Sequence, residues 1–304
     1  MIFRTPSYYN KFKCLADKCS DNCCIGWEID IDAVTLKKYM NINGTFGNRL
    51  KQNISEGSFI LNEKERCPFL SNRNLCDIYT ELGEDNLCQI CTDHPRFYEW
   101  FGSIKEGGIG LCCEAAASLI MSEDFSLTES IIPEDESDFS DELLFNFLHD
   151  ARQVIIQHLH DDPDFSDSIG CLICFAEELQ LCMDNDDYTV PEWENTAVSC
   201  CPDIKSILNI FTELEPMDEG WIPYIYNSMK FADCFKGYKK QNEIYLRRIA
   251  VYFIYRYFLK GVFDGEILSK VKLAILSTWI IAYLSECRTG TDFERVVITA
   301  KNYS

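Results

Sequence analysis

Ten of the seventeen cysteines fall within the first 113 residues, and their spacing is the first chemistry the sequence offers. Cys14-x4-Cys19-x3-Cys23-Cys24 opens the set, and Cys67-x8-Cys76 follows after a gap. Cys88-x2-Cys91 comes eleven residues later, and Cys112-Cys113 closes the array after twenty more. Four thiols in eleven residues exceed what a short segment needs as core filler. A C-x2-C turn presents both sulfurs to one side of a metal centre. Structural zinc sites favour two such pairs or a matching histidine pair. This array holds one pair, and His94, His149, His158 and His160 lack zinc-finger spacing. Iron–sulfur clusters are held by cysteine thiolates at varied spacings, and turns at Cys67-Pro68 and His94-Pro95 suit a loop wrapped round a cluster. Spacing therefore favours metal binding over free thiols and iron–sulfur over zinc, with zinc left open. Cys171-x2-Cys174 encloses Leu and Ile on an apolar helical segment and reads as core filler.

The thiols sit in a loop-rich first part, where INGTFGN, SEGS, CPFLSNRN and ELGEDN carry turn chemistry. Short helices are predicted over residues 32–40 and 48–54. After Cys113 the pattern turns helical. EAAASLIM (114–121) is a good helix former, an acidic loop runs to Phe139, and Ser140 is the expected N-cap of the next helix, with Asp141 and Glu142 in its first turn. Leu143, Leu144, Phe147, Leu148, Ala151, Val154, Ile155 and Leu159 then recur at helical spacing. Further helices are predicted over 171–183, 204–213, 242–259 and 266–286. No strand alternation is sustained enough for a large sheet, and no internal repeat occurs. The expected fold is mainly α, with a cysteine-rich, loop-rich metal-binding module over residues 1–120 packed on a helical region over 121–304.

With 304 residues, 47% hydrophobic and 25% charged, the chain has a globular composition and enough apolar mass for a sizeable core. The start, MIFRTPSYYNKFKC, has no apolar core of signal-peptide length, so export is not expected. The longest apolar run, residues 273–284, is shorter than the roughly 20 residues that span a bilayer, and it reads as a buried helix. A cytoplasmic chain keeps its thiols reduced, which again favours metal or catalysis over cross-links. A net charge of −21 argues against nucleic acid. Residues 153–204 carry twelve acids and no Lys or Arg, and residues 122–145 carry nine acids and no base, whereas residues 230–260 carry eight bases against two acids. Such acidic stretches solvate a surface, and they could also draw in a cationic partner such as a lysine side chain.

Several segments match beyond the thiols. They are Phe12-x-Cys14, the Cys23-Cys24-x-Gly26-Trp27 run with Ile29, Ile31 and Asp32 behind it, and CPFL at 67–70. LCDIY at 75–79, LGED at 82–85, LCQICTDHPR at 87–96 and CCEAA at 112–116 complete the set. In these segments the chain resembles the bacterial flagellin lysine-N-methylase (FliB) family, whose cysteine-rich region is shared with a wider group of zinc- or iron-chelating proteins. The resemblance covers roughly the first 120 residues. It implies S-adenosylmethionine as methyl donor, an iron–sulfur cluster, and flagellin lysines as substrate, modified in the cytoplasm before export. At least four of Cys14, Cys19, Cys23, Cys24, Cys67, Cys76, Cys88, Cys91 and Cys112 are then expected to hold one [4Fe–4S] cluster, with surplus thiols for a second metal. The family reads Pro where this chain has Cys113, which takes Cys113 out of the expected ligand set. Relatives are expected to continue past Ser304 through another helix.

A lysine amine is a poor nucleophile at neutral pH because its pKa is about 10.4. Transfer to it therefore needs desolvation, deprotonation and in-line positioning. No G-x-G-x-x-G loop is present, and Gly107-Gly108-Ile109-Gly110 does not fit one, so a Rossmann pocket for the donor is not expected. Trp27 or Tyr79 could face a sulfonium by cation–π contact, and Arg96 could pair the donor's carboxylate. Glu84 and Asp85, with Glu106 and Glu114, could guide the lysine or take its proton. A competing reading of the same thiols is a non-catalytic zinc- or iron-binding adaptor.

Overall fold

A computed structural model describes residues 1–19, 23–133, 139, 141–196, 203–216, 219–234 and 237–304. Strand β1 (Ile2–Pro6) is followed by a long excursion before the chain returns to it. The excursion carries helices α1 (Ala33–Asn41) and α2 (Gly44–Gln52), a hairpin of β2 (Ile54–Ser55) and β3 (Ser58–Phe59), and the short helices α3 (Asp77–Leu82) and α4 (Gln89–Asp93). Strands β4 (Arg96–Phe101) and β5 (Ile104–Ile109), helix α5 (Glu114–Ser122) and strand β6 (Leu127–Ile131) come next. The remainder is helical: α6 (Glu142–Asp161), α7 (Phe165–Asp184), α8 (Ile204–Phe211), α9 (Trp221–Met229), α10 (Glu243–Tyr257), α11 (Gly261–Asp264), α12 (Ile267–Glu286) and α13 (Asp292–Tyr303). The fold is mainly helical, as expected.

Three helix starts differ from the sequence reading. Helix α6 is capped by Asp141, whose carboxylate accepts from the Leu144 N–H at 3.0 Å, while the expected cap, Ser140, lies outside the described residues. Helix α7 begins six residues before the predicted start, because Asp164 takes the Ser166 and Asp167 N–H groups and Phe165 and Ile169 are buried. Helix α2 reaches back into the INGTFGN stretch, where Phe46 packs against Phe69 at 5.9 Å between ring centroids. A burial-driven helix has overridden the turn chemistry there.

A four-stranded sheet, order β4-β5-β1-β6, is the larger departure from expectation. Strand β1 runs parallel to β5 and antiparallel to β6, and β4 pairs antiparallel with β5. The sequence hides it because β5 (IKEGGI) buries consecutive residues from Glu106 to Ile109. A strand covered on both faces shows no polar–apolar alternation. Its glycines serve packing: a Cβ on Gly108 would fall 2.3 Å from the Phe97 ring, its cross-strand partner.

Three hydrophobic cores follow, one of them joining Ile204, Leu208, Trp221 and Ile225 of α8 and α9 to Ile280, Tyr283 and Leu284 of α12. Of the other two, the smaller gathers Ile29, Tyr39, Leu50, Phe59, Phe69 and Ile78, with Cys67 and Cys88 buried among them. The larger joins the sheet and Tyr8, Tyr9 and Leu111 to helices α5, α6, α7, α10, α12 and α13. Helix α12 is long and apolar enough to cross a membrane by length and composition, yet 61% of its apolar window is buried inside the fold. It packs against α7, α10 and α13.

Glu106 is no lysine guide. It is buried under α6, where Arg152 donates to both its oxygens at 2.7 and 2.6 Å, and the guanidinium lies over the Tyr255 ring at 5.1 Å. Tyr255 in turn donates to the Gly107 carbonyl at 2.8 Å. Removing one member of a buried pair strands the other's charge, at about 3–5 kcal/mol. Glu106→Ala should therefore lower the urea unfolding free energy by about that much. The Glu106→Leu/Arg152→Met double variant should lose less than Glu106→Ala alone.

Candidate functional site

The thiols divide into two neighbourhoods. Cys88 occupies the N-cap position of α4 and Cys91 lies within that helix, so one turn puts their sulfurs 3.4 Å apart. Cys76 holds the N-cap position of α3. Cys67 is tied to Cys24 by the Cys67 N–H on the Cys24 carbonyl at 2.8 Å. The charges of Cys67 and Cys76 act on both Cys24 and Cys91, so five sulfurs from four segments share one neighbourhood beside the small core. Cys23 joins it to a second group: Cys19 feels Glu114, Cys14 and Cys23, and Cys112 feels Arg256 and Cys23.

Their electrostatics follow from sharing protons in a half-dry site. A hydrogen bond from Cys24 lowers the Cys23 thiol to about 7, while Cys24 is raised by giving that bond. The same exchange lowers Cys88 and raises Cys91. Each pair thus favours one thiolate, the form that ligates metal. Burial raises Cys67 to about 11, opposed by the N–H groups of Phe69 and Leu70 at its sulfur. Burial also raises Cys76, opposed by those of Tyr79 and Ile78. Backbone N–H groups aimed at sulfur stabilise its charged form. Among the described residues no group of three or more His, Cys, Asp or Glu side chains is arranged to hold a metal ion. The sulfurs of Cys88 and Cys91 are paired with each other rather than splayed about a common point.

Between this neighbourhood and the large core lies a cavity of about 510 Å³. Trp27, Asp30 and Asp32 line it from one side, α4 contributes Asp93, and His94 and Arg96 follow at the start of β4. Gly110 and Cys112 come from the segment after β5, and Arg256 reaches in from α10. The Trp27 indole N–H donates to the Cys23 carbonyl at 2.6 Å, and its ring lies 6.2 Å from that of His94. Burial lowers the His94 pKa, so the imidazole is neutral at neutral pH. Arg96 lies over the Tyr9 and Phe12 rings at 5.7 and 5.2 Å.

Of the sequence candidates, Trp27, Arg96 and Cys112 meet in this cavity. Tyr79 is 49% exposed on α3, and Glu84 and Asp85 sit on an exposed turn after it; none of the three lines the cavity. Glu114 opens α5 and accepts from the Cys19 thiol at 3.8 Å. Cys14 is exposed, with the Ala16 N–H on its sulfur at 3.3 Å. Cys171 is buried, and Cys174 donates to the Thr196 carbonyl at 3.5 Å, away from the array. Cys200 and Cys201 lie outside the described residues. Sequence reasoning passed over Asp30, Asp93 and Arg256 as site residues, and Arg256 carries no motif that could have flagged it.

Comparison with known proteins relates part of the sequence to a family. The chain is 26% identical over 132 residues to the lysine-N-methylase of Salmonella typhimurium, a match covering 39% of this chain and 32% of that protein. It is 27% identical over 133 residues to the flagellar biosynthetic protein FliU of Salmonella muenchen, covering 39% of this chain and 76% of that protein. The chain is thus a relative of the lysine-N-methylase (FliB) family. The match spans about a third of the length of the lysine-N-methylases. No family model and no solved structure matches it.

Asp32 fixes the cavity's geometry. One carboxylate oxygen accepts the Thr35 N–H at 2.9 Å, capping α1, and the other accepts the Gln89 N–H at 2.9 Å, opening α4. These N–H groups, Thr35's first, hold its pKa below the ordinary carboxylate value. A depressed carboxylate contributes stability above its unfolded pKa and loses it as pH falls through the folded one. Asp32→Ala should cost about 1–2 kcal/mol at neutral pH. That difference should shrink in acid, as the parent loses the same charge. Urea unfolding at several pH values would check both parts.

Proposed function

We propose that the chain is a protein-lysine methyltransferase that moves methyl groups from S-adenosylmethionine to flagellin lysines in the cytoplasm, with an iron–sulfur cluster held beside the cavity. The observation that carries this reading is the juxtaposition of a five-sulfur neighbourhood with a cavity holding an aromatic ring, carboxylates and a neutral imidazole. The names of the relatives supply the reaction class. Four of Cys24, Cys67, Cys76, Cys88 and Cys91 would hold the cluster, a donor set of soft thiolates with N–H support that suits it. When bound, it would supply an electrophilic metal centre.

The remaining steps belong to the chain's own side chains. Trp27 offers a π face to the sulfonium. A lysine entering past Asp30 is drawn in as an ammonium and loses solvent, which lowers its pKa. His94, neutral and lacking a side-chain hydrogen bond among the described residues, accepts the lysine proton. The freed amine attacks the methyl carbon, and the carbon–sulfur bond breaks toward sulfur. The products are methyl-lysine and S-adenosylhomocysteine. The acid-rich helical region draws the lysine-bearing partner, an attraction that salt weakens.

Anaerobic purification with iron, zinc and sulfide analysis, followed by incubation with labelled donor and unmodified flagellin, tests the reading. Label on flagellin lysines is expected, and His94→Gln should lower kcat by about 10²–10⁴-fold. Loss of iron and of label together in Cys88→Ser/Cys91→Ser would support the cluster's role. No label from cluster-loaded protein would reject catalysis. A colourless protein with stoichiometric zinc and no label would favour the adaptor.

A further inference from the structure

Arg256 is the cavity residue whose chemistry that account leaves unused. It projects from α10, and its Nη1 donates to the Tyr252 hydroxyl. Its guanidinium lies over the Phe97 ring at 4.7 Å and the Tyr257 ring at 5.2 Å. The platform is itself built in: Phe97 is seated on Gly108, whose missing side chain leaves room for it. Several half-buried arginines elsewhere are answered by carboxylates, Arg4 by Glu129, Arg49 by Asp77, Arg247 by Glu243 and Arg248 by Asp124, whereas Arg66 and Arg288 donate to the Asn74 and Thr299 side-chain oxygens. Among the described residues neither Arg256 nor Arg96 has a carboxylate at ion-pair distance. A guanidinium taken partly out of water without a counter-charge is costly unless an anion completes it. Only Nη1 has a hydrogen-bond partner among the described residues, and none of its nitrogens is both buried and unpartnered. The remaining N–H groups are therefore open to a ligand.

The surroundings choose the anion. Space beside Arg256 is kept by Gly110, where a Cβ would lie 3.1 Å from the Cys112 sulfur and 3.4 Å from Arg256 Nη1. The same cavity is lined by Asp30, Asp32 and Asp93. Asp93 spends one oxygen on the Gln89 side chain at 2.8 Å, and its other oxygen has no partner among the described residues. Three carboxylates oppose a doubly charged phosphate but welcome an ammonium. Two arginines and an acidic wall in one cavity suit a zwitterion, with planar carboxylate on guanidinium and ammonium on Asp. We infer that Arg256, with Arg96, receives the carboxylate of an α-amino-acid group while Asp93 receives its ammonium. Resting on the function proposed above, that group is the methionine end of the methyl donor. Arg256 thereby becomes the specificity residue that separates the intact donor from nucleosides lacking the amino-acid arm.

Calorimetric titration of the full chain, purified anaerobically with its metal, separates this inference from the reading it rests on. The probes are S-adenosylhomocysteine, 5′-methylthioadenosine (which has no amino-acid arm), L-methionine and L-methionine amide. The parent should bind S-adenosylhomocysteine about 10–100-fold tighter than methylthioadenosine, the range a charged hydrogen bond supplies. Arg256→Gln should erase most of that ratio while leaving methylthioadenosine affinity unchanged, which also reports that the fold is intact. Arg256→Lys should retain part of it. An Arg256→Gln protein that keeps the full ratio, or that loses both ligands alike, would overturn the assignment. If the parent binds neither nucleoside, the methyl-donor reading fails. The carboxylate assignment then stands if the parent prefers L-methionine to its amide and Arg256→Gln does not, and falls otherwise.

Discussion

The buried pair of Arg152 and Glu106 is the constraint on which the rest of the molecule leans. Strand β5 is an inner strand of the sheet: it pairs with β1 and β4, and its end leads into Gly110 and Cys112. A carboxylate at the middle of such a strand would be intolerable under a helical layer without a partner. The bidentate arginine from α6 supplies one, and it also fixes where α6 sits on the sheet. Tyr255 of α10 lies against the same arginine and reaches the β5 backbone, so the helix that carries Arg256 is registered by this pair as well. The polar interaction costs desolvation, and in return it specifies one arrangement of strand and helices where apolar packing alone would allow several.

The cavity lies where two differently built cores meet. One side is short helices, turns and sulfur, ordered by local caps such as Asp32 and by thiols placed at helix starts. The other is long helices over a sheet, ordered by apolar burial. Neither side makes a ligand site alone: the thiol-rich side lacks the arginine of α10, and the helical side lacks Trp27 and the acidic wall. This division of labour fits a site whose metal-binding part and ligand-recognising part answer to separate physical demands.

What was legible in the sequence follows from how locally each feature is encoded. Helix α6 announces itself because burying one stripe of a helix writes a periodic pattern into consecutive residues, and α12 because a helix buried on most sides reads as a long apolar run. The cysteine array was legible by spacing, and Trp27, Arg96 and Cys112 by their place in conspicuous segments. The sheet was not, because β5 is covered on both faces and β1 lies some hundred positions from its partners. Glu106 looked like a surface acid because its partner, Arg152, is 46 residues away. Arg256 was invisible for a related reason: an arginine on an apolar helix becomes meaningful only when tertiary packing shows that nothing answers its charge.

The path of the chain through the sheet bears on how the thiol array assembles. Strands β1 and β5 are parallel neighbours, and the whole cysteine-bearing excursion is part of the connection between them. In polymer terms the thiols from Cys14 to Cys91 lie on a loop pinned by the sheet rather than on a free tail. Closing that loop is settled when β1 docks, and the cost of closure rises by only about 0.6 kcal/mol for each doubling of length. The excursion can therefore grow or shrink at its turns with little penalty, provided its two ends still reach adjacent strands. Those sulfurs near the small core also become local to one another before any ion has to gather them.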